Sequence, residues 1–141
     1  MKRWLIPAVL STVALALGGA AQAQLRAEMG RFEYESNCVA CHGAAGRGDG
    51  YFATYLKLPV PDLTTISQRN GNVFPAERVQ RIIDGREDLK GHGARQMPIW
   101  GAHYNERATE YFKGTAWDPE VFIRVRTLAL VDFVYSIQNR R

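Results

Sequence analysis

The sequence contains very few cysteines and histidines, and this scarcity excludes several kinds of site. Cys38 and Cys41 are the only cysteines among 141 residues, and there are three histidines. A zinc site would need a second pair of Cys or His ligands, which the sequence does not offer. The two could form a structural disulfide with each other, but nothing else in the chain would need or share it. No strand–helix–strand pattern surrounds the pair, as a thioredoxin-like redox site would require.

The sequence also lacks the runs that mark other classes of protein. The formal charge is +4, but no cluster of Lys and Arg supports nucleic-acid binding. No stretch after residue 23 offers the about 20 apolar residues that a membrane span needs. No internal repeat, low-complexity segment or second Cys-x-x-Cys-His motif is present. These absences favour one ordinary globular domain with a single site.

Residues 1–23 have the pattern of a secretory signal peptide. Lys2 and Arg3 precede an apolar run from Leu5 to Leu17, and Ala21-Gln22-Ala23 forms a small-residue cleavage site. We expect cleavage to leave a mature domain of residues 24–141 in the periplasm. An uncleaved N-terminal anchor is the alternative, and the Ala-x-Ala end argues against it.

The central motif is Cys38-Val39-Ala40-Cys41-His42, the attachment signature of a c-type haem. One helical turn separates the two thiols, so both sulfurs can reach the same haem edge and form covalent bonds. His42 then lies beneath the iron as its proximal ligand. The free N–H of its ring needs an acceptor, and a backbone carbonyl within Leu58–Pro61 is our candidate.

Hydrophobic spacing and capping residues predict three helices and two irregular segments. The helices are expected at 27–41, 75–84 and 120–137, with a further short helix possible at 51–58. Gly85 should end the second helix, and Asp118 with Pro119 should begin the last. Residues 43–72 are expected to be mostly loop, and 102–119 irregular. Gly30 predicts a close backbone contact, which the last helix can supply.

Several side chains are candidates for the sixth ligand of the iron: Met29, His92, Met97 and His103. Met29 lies on the same helix as Cys38, on the wrong side of the haem, and is assigned to the core. Met97 is favoured because about sixty residues separate it from the haem motif, enough to reach the opposite face. Pro98 stiffens its loop, and Trp100 adds an aromatic wall beside the haem. His92 is the main alternative to Met97, and His103 a weaker one.

These motifs resemble those of the class I c-type cytochromes, small single-haem electron carriers of the bacterial periplasm. The three matching stretches are Gly30-x-x-x-Tyr34-x-x-x-Cys38-x-x-Cys41-His42-Gly43, Met97-Pro98-x-Trp100-Gly101 and Leu130-Val131-x-Phe133. The resemblance implies an all-α cytochrome c fold, about four short helices wrapped round one covalently bound haem c. It also implies His42 and Met97 as the axial ligands of the iron.

The expected function is transfer of one electron between periplasmic redox proteins, without enzymatic activity. Partners would dock transiently at the exposed haem edge, where Arg47, Lys57 and Arg95 are candidates for rim charge. One alternative is a haem subunit of a dehydrogenase complex, a role that the long segment 102–117 could serve. Another is a gas-binding or catalytic haem protein with a labile sixth ligand.

Overall fold

A computed structural model describes residues 6–87, 100–114 and 118–139. Over these ranges the chain is helical and contains no strand, which confirms the all-α class. The described part has six α-helices: α1 (Ile6–Asn37), α2 (Val39–His42), α3 (Ile66–Arg69), α4 (Ala76–Asp84), α5 (Trp100–Tyr111) and α6 (Pro119–Ser136). Two 3₁₀ turns, Tyr51–Tyr55 and Leu63–Thr65, lie between α2 and α3. The set is larger than the four short helices expected, and α1 alone has 32 residues.

The first helix differs from the predicted one at both ends. We expected one helix over 27–41, but α1 begins at Ile6, ends at Asn37, and is followed by the separate short helix α2. The N-terminal extension is rich in Ala and Leu, which are strong helix formers, so the helix crosses the predicted cleavage site without a break. Signal cleavage stays a prediction. Among the described helices, none is both long and apolar enough to cross a membrane.

The core forms where α1 crosses α6. Gly30 lies so close to α6 that a Cβ atom at this position would be 2.1 Å from the Ala129 carbonyl oxygen. The Tyr34 ring packs against the Phe133 ring, with 4.7 Å between their centroids. The crossing therefore confirms the close contact that Gly30 predicts. The buried cluster around it contains Tyr34, Cys38, Val79, Ile83, Leu130 and Val131.

The ends of α4 and α6 confirm the predicted capping residues. α4 buries Val79 and Ile83 against α6 and is followed by Gly85 in the left-handed conformation, with φ of 86°. At the start of α6, the Asp118 side chain accepts a hydrogen bond of 2.9 Å from the Glu120 backbone N–H. Pro119, which has no N–H to satisfy, occupies the first turn.

The prediction of irregular structure over 102–119 is wrong for most of that segment. Residues 100–111 form α5, which packs on α6 and α4. Its buried face consists of Tyr104 and Ala108, both 0% exposed and four residues apart. Most of the other side chains over 103–111 are polar, and two buried positions give too weak a pattern to predict a helix.

Candidate functional site

The Cys38–His42 segment forms a single tight turn, in which Cys38 joins α1 to the short helix α2. The Cys38 N–H donates to the Tyr34 carbonyl of α1 at 2.8 Å. The Cys38 carbonyl accepts from the N–H groups of Cys41, at 3.1 Å, and His42, at 2.8 Å. These bonds wind the motif around one helical turn, as its spacing predicts, and attach it directly to the end of α1.

The two cysteines of this turn form no disulfide and lie in different surroundings. Cys38 is buried among the core residues, whereas Cys41 is only partly buried. Burial, reinforced by the nearby Glu33 carboxylate and by Cys41, raises the pKa of Cys38 to about 12. Before any covalent bond forms at its sulfur, the Cys38 thiol in this buried position is therefore protonated at neutral pH.

The glycine-rich loop after the motif folds back over it. The Gly48 N–H donates to the His42 carbonyl at 2.8 Å, and the Gly50 N–H donates to the Cys41 carbonyl at 3.1 Å. Gly48 has φ of +79°, and a Cβ atom there would lie 2.2 Å from the Val60 carbonyl oxygen. Glycine is thus required where the 43–50 loop meets the chain that leads to Pro61.

The His42 side chain is buried beside Pro61. Burial lowers the pKa of the imidazole, and a hydrogen-bond interaction with the Pro61 backbone partly opposes this effect. Proline has no N–H, so the interacting group is its carbonyl, within the stretch predicted for this role. Nδ1 forms no hydrogen bond of good geometry among the described residues, so the Pro61 carbonyl lies near the ring without a formed bond to it. The lowered pKa leaves the ring neutral at pH 7 and able to bind a metal.

The predicted distal residues fall largely outside the described part of the chain. His92, Arg95, Met97 and Pro98 lie outside it entirely, and of Trp100 only the backbone, as the first residue of α5, is described. His103 lies on the exposed face of α5, with its ring centroid 6.0 Å from that of Tyr104. The choice of Met97 over the two histidines stays a prediction.

A buried polar cluster behind the motif was not predicted. Glu33 is 0% exposed and lies five residues before Cys38 on α1. Its Oε2 accepts from the Tyr104 hydroxyl of α5 at 2.8 Å and from Asn37 Nδ2 at 3.1 Å. Its Oε1 pairs with the Arg126 guanidinium of α6. The cluster joins three helices, and no sequence signal separates Glu33 from its exposed neighbour Glu35.

The model of the Cytochrome c family matches residues 27–113, more than half of the chain. The fold is thus that of an all-helical haem protein. The chain belongs to the cytochrome c family, whose members carry covalently attached haem c and serve haem-based electron transfer. No curated protein and no solved structure matches the chain.

The residues of the Cys38–His42 turn suit this cofactor. Two cysteines that form no disulfide lie one helical turn apart, and a buried imidazole follows them directly. Covalent haem attachment uses this set of groups at this spacing. The imidazole also lies beside a carbonyl acceptor, as iron-binding histidines require for a defined ring orientation.

Proposed function

We propose that the protein carries one electron at a time between periplasmic redox partners, through a haem c bound at Cys38 and Cys41. His42 is the proximal ligand of the iron, and Met97 is the distal one. Haem c supplies an iron that alternates between the ferric and ferrous states. With both axial positions filled by the protein, no substrate needs to bind the metal.

The observation that carries this proposal is the buried side chain of His42, which directly follows Cys41 and lies beside Pro61. A solvated loop histidine has no need of a buried position or a backbone acceptor. A proximal ligand needs both, because burial limits reorganisation of the surroundings and the acceptor makes the ring a stronger donor.

Next to the attachment turn lies a surface suited to transient docking of partners. Tyr51, Phe52 and Tyr55 are all at least half exposed, and their rings contact one another. The preceding Gly50 is bonded to the Cys41 carbonyl, so this aromatic surface adjoins the proposed haem edge. Arg47 and Lys57 are exposed as well, as rim charges would be. Arg95 lies outside the described residues.

The location follows from the N-terminal pattern. We place the mature chain in the periplasm, starting at Gln24 after cleavage of residues 1–23. Expression of the full chain in a bacterium with a haem c maturation system tests this. N-terminal sequencing of the periplasmic fraction should give Gln24; intact protein retained in the membrane would instead support an uncleaved anchor.

The axial ligands are tested on the haem-loaded protein by spectroscopy. The wild type should have a low-spin c-type spectrum with the charge-transfer band of methionine-ligated ferric iron. Met97→Ala should lose this band and bind CO when reduced. Met29→Ala is the matched control and should keep the wild-type spectrum, because Met29 lies on α1 and is assigned to the core.

Three results would contradict the proposal. A colourless product with the mass of the bare polypeptide would exclude covalent haem. A Met97→Ala variant that remains six-coordinate would transfer the distal role to His92. Ready CO binding by the reduced wild type would favour a gas-binding or catalytic haem protein.

A further inference from the structure

Two polar side chains just beyond the end of α6, Gln138 and Asn139, are bonded to a distant part of the chain. Gln138 Oε1 accepts from the Ser67 N–H at 2.9 Å, and Gln138 Nε2 donates to the Leu63 carbonyl at 2.7 Å. The Asn139 N–H donates to the Thr64 carbonyl at 2.9 Å, and Asn139 Nδ2 donates to Thr64 Oγ1 at 3.0 Å. These four bonds form the C-terminal contact.

The C-terminal contact holds the segment that directly follows Pro61. Thr64 is 6% exposed, and its hydroxyl, which accepts from Asn139, also donates to Asp62 Oδ1 at 2.7 Å. Asp62 Oδ1 also accepts from the Thr64 N–H at 2.8 Å, which closes a turn next to Pro61. A continuous chain of hydrogen bonds therefore runs from Asn139 to the residue after Pro61.

The same segment is attached on its other side to the loop that follows His42. The Leu63 N–H donates to the Gly46 carbonyl at 2.7 Å. Gly48 lies against Val60 and donates to the His42 carbonyl. The Pro61 carbonyl thus lies between two attachments, one to the His42 loop and one to the end of α6.

Ordinary capping of α6 does not require this arrangement. The last carbonyls of a helix can be satisfied by water or by local bonds, and Gln138 Nε2 does donate to the Val134 carbonyl of α6. Its remaining bonds, and those of Asn139, cross to residues 71–75 positions away in the sequence. They order the 62–67 segment rather than the helix end.

We propose that Gln138 and Asn139 are positioning residues for His42, which act through Thr64 and Asp62 to hold the Pro61 carbonyl against its imidazole. The proposal rests on the proposed role of His42 as proximal ligand. A well-held acceptor makes the imidazole a stronger donor and so favours ferric iron. Loosening the C-terminal contact should therefore raise the reduction potential of the haem.

The test uses the haem-loaded protein and an isosteric pair at Thr64. Thr64→Val removes the hydroxyl that connects Asn139 to Asp62, whereas Thr64→Ser keeps it. We expect Thr64→Val to raise the ratio of reduced to oxidised protein at a fixed solution potential by about threefold, or ~28 mV for one electron. Thr64→Ser should match the wild type, and Gln138→Ala should shift the ratio in the same direction as Thr64→Val.

A direct readout of ring positioning is the exchange of the His42 Nδ1 proton with deuterated solvent, followed by NMR. Exchange should be faster in Thr64→Val and Gln138→Ala than in the wild type. Ser136→Ala is the control, because its hydroxyl bonds only to the Phe133 carbonyl within α6. It should leave both the potential and the exchange rate unchanged.

The possible failures are distinguishable. A wild type without haem, or with another proximal ligand, would refute the proposed function. Haem-loaded Thr64→Val and Gln138→Ala with wild-type potential and exchange rate would refute the positioning role alone. If Gln138→Ala does not fold, the comparison of Thr64→Val with Thr64→Ser still tests the positioning role. A shift in potential or exchange rate in Ser136→Ala equal to that in Thr64→Val would also overturn the inference.

Discussion

The substitution Gly30→Ala tests the central helix crossing with the smallest possible change. The added Cβ atom would lie 2.1 Å from the Ala129 carbonyl oxygen, 2.8 Å from the carbonyl carbon and 3.0 Å from the Phe133 Cβ. Ordinary van der Waals contact begins at 3.4 Å. Two of the three obstructing atoms belong to the backbone of α6, so a change of rotamer cannot relieve the overlap.

The expected cost follows from two opposing effects. Overpacking a core costs about 1–3 kcal/mol, and a backbone obstacle places this site near ~3 kcal/mol. Alanine is a better helix former than glycine by about 1 kcal/mol, which offsets part of the loss. The net destabilisation is about 2 kcal/mol. At ~4 °C per kcal/mol for a domain of this size, the melting temperature should fall by about 8 °C.

The assay is thermal unfolding of the haem-loaded protein, followed by circular dichroism. Ser36→Ala is the control, because Ser36 is exposed on the same helix and the change improves helix propensity without a clash. Its melting temperature should stay level or rise slightly. A Gly30→Ala variant that melts at or above the wild-type temperature would refute the argument, since α1 and α6 could then separate without cost.

Two further predictions concern buried tyrosines. Tyr104→Phe removes a buried hydrogen bond to the Glu33 carboxylate, so urea unfolding should show a loss of about 1.5–3 kcal/mol. Tyr111→Phe, at a residue 84% exposed, should change little, and equal losses in the two variants would contradict the proposed burial. Burial raises the pKa of Tyr34 from 10.0 to about 12, so the fold favours the neutral phenol. This contribution to stability is complete below pH 10 and disappears as the pH rises to about 12. The free energy of unfolding of Tyr34→Phe should therefore fall less than that of the wild type over this range. An identical fall in the two proteins would refute the raised pKa of Tyr34.

Local patterns in the sequence predicted the parts of the fold that depend on nearby residues. Asp118 and Pro119 mark the start of α6, because the capping carboxylate and the backbone N–H that donates to it lie two residues apart. Gly85 ends α4, because glycine adopts the left-handed conformation at little cost. The chemistry of a ligating imidazole predicts a carbonyl acceptor within Leu58–Pro61, and Pro61 lies beside His42, but no hydrogen bond of good geometry joins them.

The features that sequence reasoning missed depend on contacts between distant residues. Glu33 is buried because Tyr104 and Arg126, 71 and 93 residues away, satisfy its two oxygens. The C-terminal contact likewise joins residues 71–75 positions apart. Polar side chains of this kind are exposed in most proteins, so nothing in their local sequence distinguishes them.

The burial of Cys38 has a consequence for the order of events in biogenesis. A thioether forms by way of the thiolate, and a pKa of about 12 leaves roughly one thiol in 100,000 ionised at pH 7. If Cys38 is an attachment point, as proposed, its thiol reacts slowly in the folded chain, because little of it is ionised there. We therefore expect the porphyrin to be attached before the helices close around this sulfur.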